Sequence, residues 1–416
     1  MPQEKIHRHV RLAIVVAALG YFVDIYDLVL FNIVRIPSLA ALGYTGEAAI
    51  THGLDLLNVQ MTGMLLGGVL WGILGDKRGR LSVLFGSIVL YSLANIANGM
   101  VGSLQAYFVL RFIAGVGLAG ELGAGITLVS ELLPKERRGI GTMIVATFGV
   151  SGAVLAGTIA NHFIWRTCYF VGGGLGLMLL VLRIGVYESG LFSELRTTAV
   201  SRGNFFSLFT HRDRLQRYLR CIATGLPTWY MVGLLMGLAP EISKVLGVTG
   251  GPITVANTIL FFYAGLTFGD FSSGALSQLL KSRNRVLLYF LVGCAVMIAA
   301  YFLVRGESAE IFYAICCLMG FTSGYWAIFV TIAAEQFGTN LRATVATTVP
   351  NFARGALVPI SLLFNALRTA FKPSYGDASI LLSGGIVGAL CIGIALWAHA
   401  GQRETFGMSL DYVEDV

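Results

Sequence analysis

Residues 72–80 read Gly72-Ile73-Leu74-Gly75-Asp76-Lys77-Arg78-Gly79-Arg80, wedged between two long apolar runs. Five of the nine are glycine or apolar and four are charged. Charges so placed mark a hairpin that turns in water between two membrane helices. Outward from this string, apolar stretches of about 20 residues recur along the chain, each able to cross a hydrocarbon core of ~30 Å as a helix. Twelve spans are counted, at 12–36, 52–75, 82–103, 104–128, 139–163, 166–187, 217–240, 255–278, 285–304, 307–332, 343–370 and 376–399. None shows the alternation that β-barrel strands need. The composition agrees, at 56% hydrophobic, 12% charged and a mean hydropathy of +0.76, where soluble domains carry about 25% charged residues. The expected fold is an all-α integral membrane protein with twelve transmembrane helices.

The first run is read as helix 1 and not as a signal peptide. It is too long for an apolar signal core, it holds Asp24 and Asp27, and no small-residue cleavage site follows. With both termini in the cytoplasm, twenty Lys and Arg residues fall in inside loops. Only Arg166, Lys244, Arg305, Arg368 and Lys372 fall outside. That asymmetry fixes orientation and accounts for the net charge of +7 without nucleic acid. The six cysteines lie in apolar helices without metal-ligand spacing, so no metal and no cofactor is expected.

The longest polar stretch divides the helices six and six. The expected organisation is an N-terminal bundle (1–187), a cytoplasmic linker (188–216), a C-terminal bundle (217–400) and a cytoplasmic tail (401–416). The halves match at an offset near 203. Gly72–Arg80 corresponds to the string beginning Gly274-Ala275-Leu276-Ser277-Gln278, and Glu131…Arg138 corresponds to Glu335…Arg342, seven residues apart in both copies. Two matches at similar offsets point to duplication of a six-helix unit, a plan in which substrate binds between the halves near the midplane.

Gly72–Arg80 resembles the loop between helices 2 and 3 of the major facilitator superfamily. Arg111-Phe112-Ile113-Ala114-Gly115-Val116-Gly117, ending in Gly120-Glu121, resembles helix 4 of its sugar-porter and metabolite–proton symporter branches. Glu131 to Gly139 resembles the Glu-x-x-Pro-x-x-x-Arg-Gly string of those branches. Asp24-Ile25-Tyr26-Asp27 is similar to the helix-1 Asp-x-x-Asp of aromatic-acid, metabolite and phosphate symporters. Ala353-Arg354-Gly355 through Pro359 is similar to helix 11 of organic-anion relatives. The resemblance implies the major facilitator fold and a secondary active transporter, not an enzyme. From the sugar–proton symporters it also implies an Asp27–Arg111 pair that a proton would release.

A charge at mid-bilayer costs at least ~2.5–3.5 kcal/mol on insertion scales, so each needs a reason. Asp24 and Asp27 lie at i and i+3, on nearby faces of helix 1. Two close, buried carboxylates suit proton exchange in the working pH range. Asp24, Asp27, Arg111 and Glu121 are therefore the proton-coupling candidates. Arg354 lies about 18 Å along helix 11 from its start at 1.5 Å per residue, and a planar guanidinium suits a carboxylate. The repeat aligns Asp27 with Trp229 or Tyr230 and Glu121 with Tyr325. The substrate candidates are thus Arg354, Asn351, Tyr325, Trp326, Trp229 and Tyr230. The cytoplasmic gate candidates are Gly72, Asp76, Gly79, Arg80, Glu131, Arg138, Asp270, Glu335 and Arg342. Arg35 and Arg183 sit near helix ends, where snorkelling is expected, and Glu47 and Asp55 are expected to be solvated.

The reading is proton-coupled symport of a small carboxylate-bearing metabolite by alternating access. The expected setting is the bacterial inner membrane, as a monomer whose partners are its solute, protons and the lipid bilayer. Alternatives are uniport or export of a cation or neutral solute. An intramembrane enzyme or receptor would need a nucleophile–base pair or a metal constellation, and the helices display neither.

Overall fold

The computed structural model describes residues 3–78, 80–121, 138–188, 205–407 and 414. Twelve helical rods run up and down through them. The first six are α1 (Gln3–Ala41), α2 (Gly46–Arg78), α3 (Arg80–Gly99), α4 (Leu104–Leu118), α5 (Arg138–Val150 continued by Gly152–His162) and α6 (Trp165–Glu188). The second six begin with α7, made of Arg212–Thr224, Leu226–Trp229 and a π-helical turn Tyr230–Met236. They continue with α8 (Val255–Leu280), α9 (Arg283–Leu303), α10 (Ala309–Ser323 and Trp326–Glu335), α11 (Thr339–Gly355 and Leu357–Tyr375) and α12 (Ser379–Ala400).

Eight segments among the described residues are long and apolar enough to cross a membrane alone, and one of these, Thr344–Ala400, carries α11 and α12 together. A ninth segment is α7 with the short helix Ala239–Leu246, bent by 72°. The shorter apolar helices Val83–Gly99 and Leu104–Leu118 are the described apolar parts of α3 and α4. Large apolar side chains such as Leu279, Leu303, Phe268 and Val181 are mostly exposed. Lipid tails solvate such a surface as well as a protein interior does, so it carries no cost in a bilayer.

Serines and a threonine start the helices where the chain leaves its turns. Ser103, Thr254, Ser282 and Ser308 each accept a backbone N–H from the first turn of α4, α8, α9 and α10. Within each bundle, glycines let helices pack backbone to backbone. A Cβ on Gly115 of α4 would run into the Gln60 carbonyl of α2, and one on Gly320 of α10 into the Phe262 carbonyl of α8. The α2–α4 and α8–α10 contacts are counterparts under the sequence repeat. Small residues let the helices approach where lipid supplies no hydrophobic drive between them.

The bundles meet along α1 with α7, α2 with α11, and α5 with α8. Asn32 donates to the Gly233 carbonyl (3.5 Å), and the Ser361 hydroxyl bonds Asn58. Asn161 on α5 reaches Asn257 on α8 at 2.6 Å. The tail folds back under the second bundle. Gln336 donates to the Arg403 carbonyl (2.8 Å), and Arg217 grips Glu414 with two nitrogens at 2.9 and 3.1 Å.

Candidate functional site

The midpoint of α1 carries the carboxylates. Asp24 and Asp27 are both fully buried, and three residues of helix rotate them ~60° apart. That rotation sends them to different partners. Asp24 faces the second bundle, where its Oδ2 lies 3.6 Å from Arg354 Nη2 of α11. Asp27 faces into the first bundle, against Tyr26, Asn95 and Arg111, with neither oxygen hydrogen-bonded.

The Asp27–Arg111 pair implied by the resemblance does not close to 4 Å among the described residues. Arg111 is held elsewhere. Its guanidinium lies 5.3 Å over the Phe31 ring and 5.7 Å over the Tyr169 ring, and Nη1 donates to the Tyr169 hydroxyl at 3.5 Å. Tyr169 continues through Tyr107 (2.7 Å) to Ser38 (3.2 Å). Aromatic faces and a tyrosine hydroxyl thus stabilise the cation without requiring contact with the carboxylate.

Arg354, at the end of the first segment of α11, has no exposed surface. Its guanidinium stands 5.6 Å from the Trp229 ring, and Trp229 meets Trp326 edge to face at 5.9 Å. None of its three nitrogens has a hydrogen-bond partner, and both indole N–H groups are also unpaired. Buried polar groups are ordinarily satisfied. Arg354 Nε and Nη1 and the two indole N–H groups are four donors without an acceptor, while Nη2 meets the buried Asp24 carboxylate only at 3.6 Å across the bundle interface, an arrangement that an acceptor-rich solute would complete.

The other expected substrate residues divide. Tyr325 donates its hydroxyl to the Thr224 carbonyl (2.9 Å) and Tyr230 to the Gly384 carbonyl (2.6 Å), so both phenols hold the second bundle together. Asn351 donates to the Ala119 carbonyl (2.9 Å), latching α11 to the end of α4. Its Oδ1 is unpaired.

Asp270, expected at a cytoplasmic gate, lies inside the second bundle. It is buried midway along α8, and its Oδ1 accepts the backbone N–H of Ala327 at 3.2 Å. α10 is interrupted at Gly324 and Tyr325, so Ala327 opens a second helical segment whose N-terminus is electropositive. Asp270 caps that end and thereby positions Trp326.

Two arginines expected to snorkel are buried instead. Arg183 of α6 forms a two-pronged ion pair with Glu121 just beyond α4, which commits Glu121 to a partner. Arg35 of α1 donates to Glu241 (2.6 Å) and to the Gly237 carbonyl (2.9 Å) of the second bundle. At the same end, Glu47 bridges Arg368 (2.9 Å) and Lys372 (2.7 Å) of α11. Sequence reasoning leaves out all of these cross-bundle pairs. The one available signal is Arg35 itself, a cation inside Ile33-Val34-Arg35-Ile36.

At the opposite end, Glu335 accepts from Arg283 Nε (2.6 Å) and Nη2 (2.8 Å) and from Thr405 (2.7 Å). Arg342 donates to the Ala334 and Phe337 carbonyls, both at 3.3 Å. Gly72 lies in α2 with open space where a Cβ would sit. Gly79 and Glu131 lie outside the described residues, as do the side chains of Asp76, Arg80 and Arg138.

The sequence profile of the Major Facilitator Superfamily matches residues 17–358. A Haemophilus influenzae protein described as a metabolite transport protein is 26% identical over 391 residues, covering 89% of this chain and 92% of the relative. A Bacillus subtilis protein described as a niacin/nicotinamide transporter is 26% identical over 349 residues, covering 82% and 84%. Among solved structures, a proton:xylose symporter bound to 6-bromo-6-deoxy-D-glucose superposes with a TM-score of 0.70. It shares 15% identity over 97% of this chain and 98% of the other, so it bears on the fold alone. Matched over most of its length and folded as two six-helix bundles, the chain belongs to the Major Facilitator Superfamily of membrane transporters.

Proposed function

We propose that this transporter couples protons to the symport of a small organic carboxylate. The observation that carries the reading is Arg354, fully buried, without hydrogen bonds and facing Asp24 at 3.6 Å across the bundle interface. A solute carboxylate takes the place of Asp24 on Arg354, and its apolar part packs against Trp229 and Trp326. Asp24 then accepts a proton, because a second carboxylate beside the same guanidinium disfavours its charged form. One proton and one anion enter together, so the loaded site keeps the charge of the empty one. Asp27, a second buried carboxylate in the first bundle, and the nearby Arg111 cation belong to the coupling machinery.

The similarity to a niacin/nicotinamide transporter supports a small ring-bearing solute. With the basic loops inside, the N-terminus is cytoplasmic and the α1–α2 turn faces out. The Arg35–Glu241 and Glu47–Arg368 pairs then close the outer end, and Glu335–Arg283 lies at the inner one. The membrane is the bacterial inner membrane and the working unit is one chain.

The test is nicotinate uptake into proteoliposomes under an imposed proton gradient, with binding measured in parallel. Arg354→Gln is expected to lose the high-affinity central nicotinate site, and unchanged affinity would sink the carboxylate reading. Full proton-driven accumulation by Asp27→Asn would remove Asp27 from the coupling set.

A further inference from the structure

At the α1–α2 end a cavity of about 460 Å³ opens between the bundles, within the range of small-ligand sites. Ile36, Tyr44, Ile50 and Ile380 give it apolar walls. Six charged residues line it: Glu47, Glu241, Lys244, Arg368, Lys372 and Asp377. Arg35 lies behind Glu241 and neutralises it. Lys244 and Asp377 have no ion-pair partner among the described residues.

Glu47 and Lys372, which is 43% accessible, are the exposed members of the cluster. The Glu47 side chain is 54% accessible, whereas that of Arg368 is 8% accessible. Arg368 keeps a buried Nε–H with no acceptor. One carboxylate from the first bundle therefore spans two cations on α11 of the second. It supplies less than those cations can take.

We propose that this cavity is an entry subsite for the carboxylate of the solute, where the solute's carboxylate replaces Glu47 on Arg368 and Lys372. Occupancy does two things at once. It loads the anion one step before the central arginine, and it cuts the Glu47 tie between the bundles, which leaves the Arg35–Glu241 pair as the other closure of that end. The identity of the ligand as a carboxylate rests on the reading of Arg354 above. The cavity, the shared carboxylate and the unpaired Arg368 nitrogen do not.

The experiment separates the two. Full-length Arg354→Gln, purified in detergent, is titrated with nicotinate, with nicotinamide as the uncharged control, by calorimetry and ligand-observed NMR. A weak nicotinate-selective site is expected to remain. Adding Glu47→Gln should tighten it about tenfold by removing the competing carboxylate. Adding Arg368→Gln should abolish it, and adding Lys372→Gln, at a half-exposed position that packing does not need, should weaken it. A clamp with no ligand role predicts the opposite for Glu47→Gln, namely no gain in binding. The proposal is overturned if Glu47→Gln leaves residual binding unchanged or weaker, or if the Arg354→Gln, Glu47→Gln double variant binds no nicotinate at about 50 mM, well above typical weak affinities. If Arg354→Gln alone leaves wild-type affinity intact, the central reading fails, and the Glu47 effect still judges the entry site.

Discussion

Replacing Asp24 with asparagine tests the exchange at the centre of the transporter. Asp24 and Arg354 are both fully buried, with 3.6 Å between Oδ2 and Nη2. Unit charges at that distance attract by about 4–5 kcal/mol at an effective dielectric of ~20. A solute carboxylate has to displace that attraction before it gains its own. Desolvation offsets part of it, so removing the competing charge should strengthen nicotinate binding at neutral pH by about ten- to a hundredfold. Binding to the wild type should strengthen as pH falls, by up to about tenfold per unit while Asp24 is ionised, because one proton enters with the anion. The variant should lose that slope. It should also unfold more easily when empty, since an uncompensated buried cation costs about 3–5 kcal/mol, and nicotinate should restore much of the loss. Tryptophan fluorescence is a suited assay because Trp229 lies 5.6 Å from the Arg354 guanidinium, with calorimetry as the check. Weaker binding in Asp24→Asn, or an unchanged pH slope, would refute the exchange.

Three further outcomes follow from the packing. Glu121→Gln and Arg183→Gln each strand a buried charge and should lower stability by about 3–5 kcal/mol, while the double variant should recover most of it, read by thermal unfolding in detergent. Gly320→Val should prevent correct folding or abolish transport, because its Cβ meets the Phe262 carbonyl and backbone cannot yield; an active, stable variant would contradict the packing of α10 on α8. Glu404 lies beyond α12 at the mouth of α9. Partial burial pushes its carboxyl up, but bonds from the Ser282 hydroxyl and the N–H groups of Phe406, Arg283 and Asn284 outweigh this and hold it below the usual glutamate value. A lowered folded value means that its stabilisation is present above the unfolded value and is lost as pH falls through the folded one. Glu404→Gln should therefore lower the melting temperature at pH 7, and the difference should shrink as pH falls below the usual glutamate value of about 4.3 and vanish only once the folded carboxyl is itself protonated.

The helices were legible from hydropathy because lipid contact needs apolar side chains along the whole rod. The span 255–278 corresponds to Val255–Leu280, and 285–304 to Arg283–Leu303. Breaks inside rods were not legible. Residues 307–332 form one apolar run, yet α10 stops at Ser323 and restarts at Trp326. Composition is the same on both sides of the break, and the carboxylate that caps the new start comes from α8. Arg35 and Arg183 show a related limit. A cation near a helix end satisfies either snorkelling or an ion pair, and only the neighbouring helix distinguishes them.

The sequence by itself determined the class of protein, the twelve runs, the duplicated loop and the fact that Asp24, Asp27 and Arg354 are buried ionisable groups needing partners. Spacing along one helix says that Asp24 and Asp27 are close. It cannot say that the roll of α1 turns one toward the second bundle and the other into the first. That division decided the pairing of Asp24 with Arg354 and left Arg111 to Phe31 and Tyr169. The physical reason is that charge pairing falls off over a few ångströms. Helix rotation and bundle docking set those ångströms, and contacts between residues hundreds of positions apart in the chain set the docking.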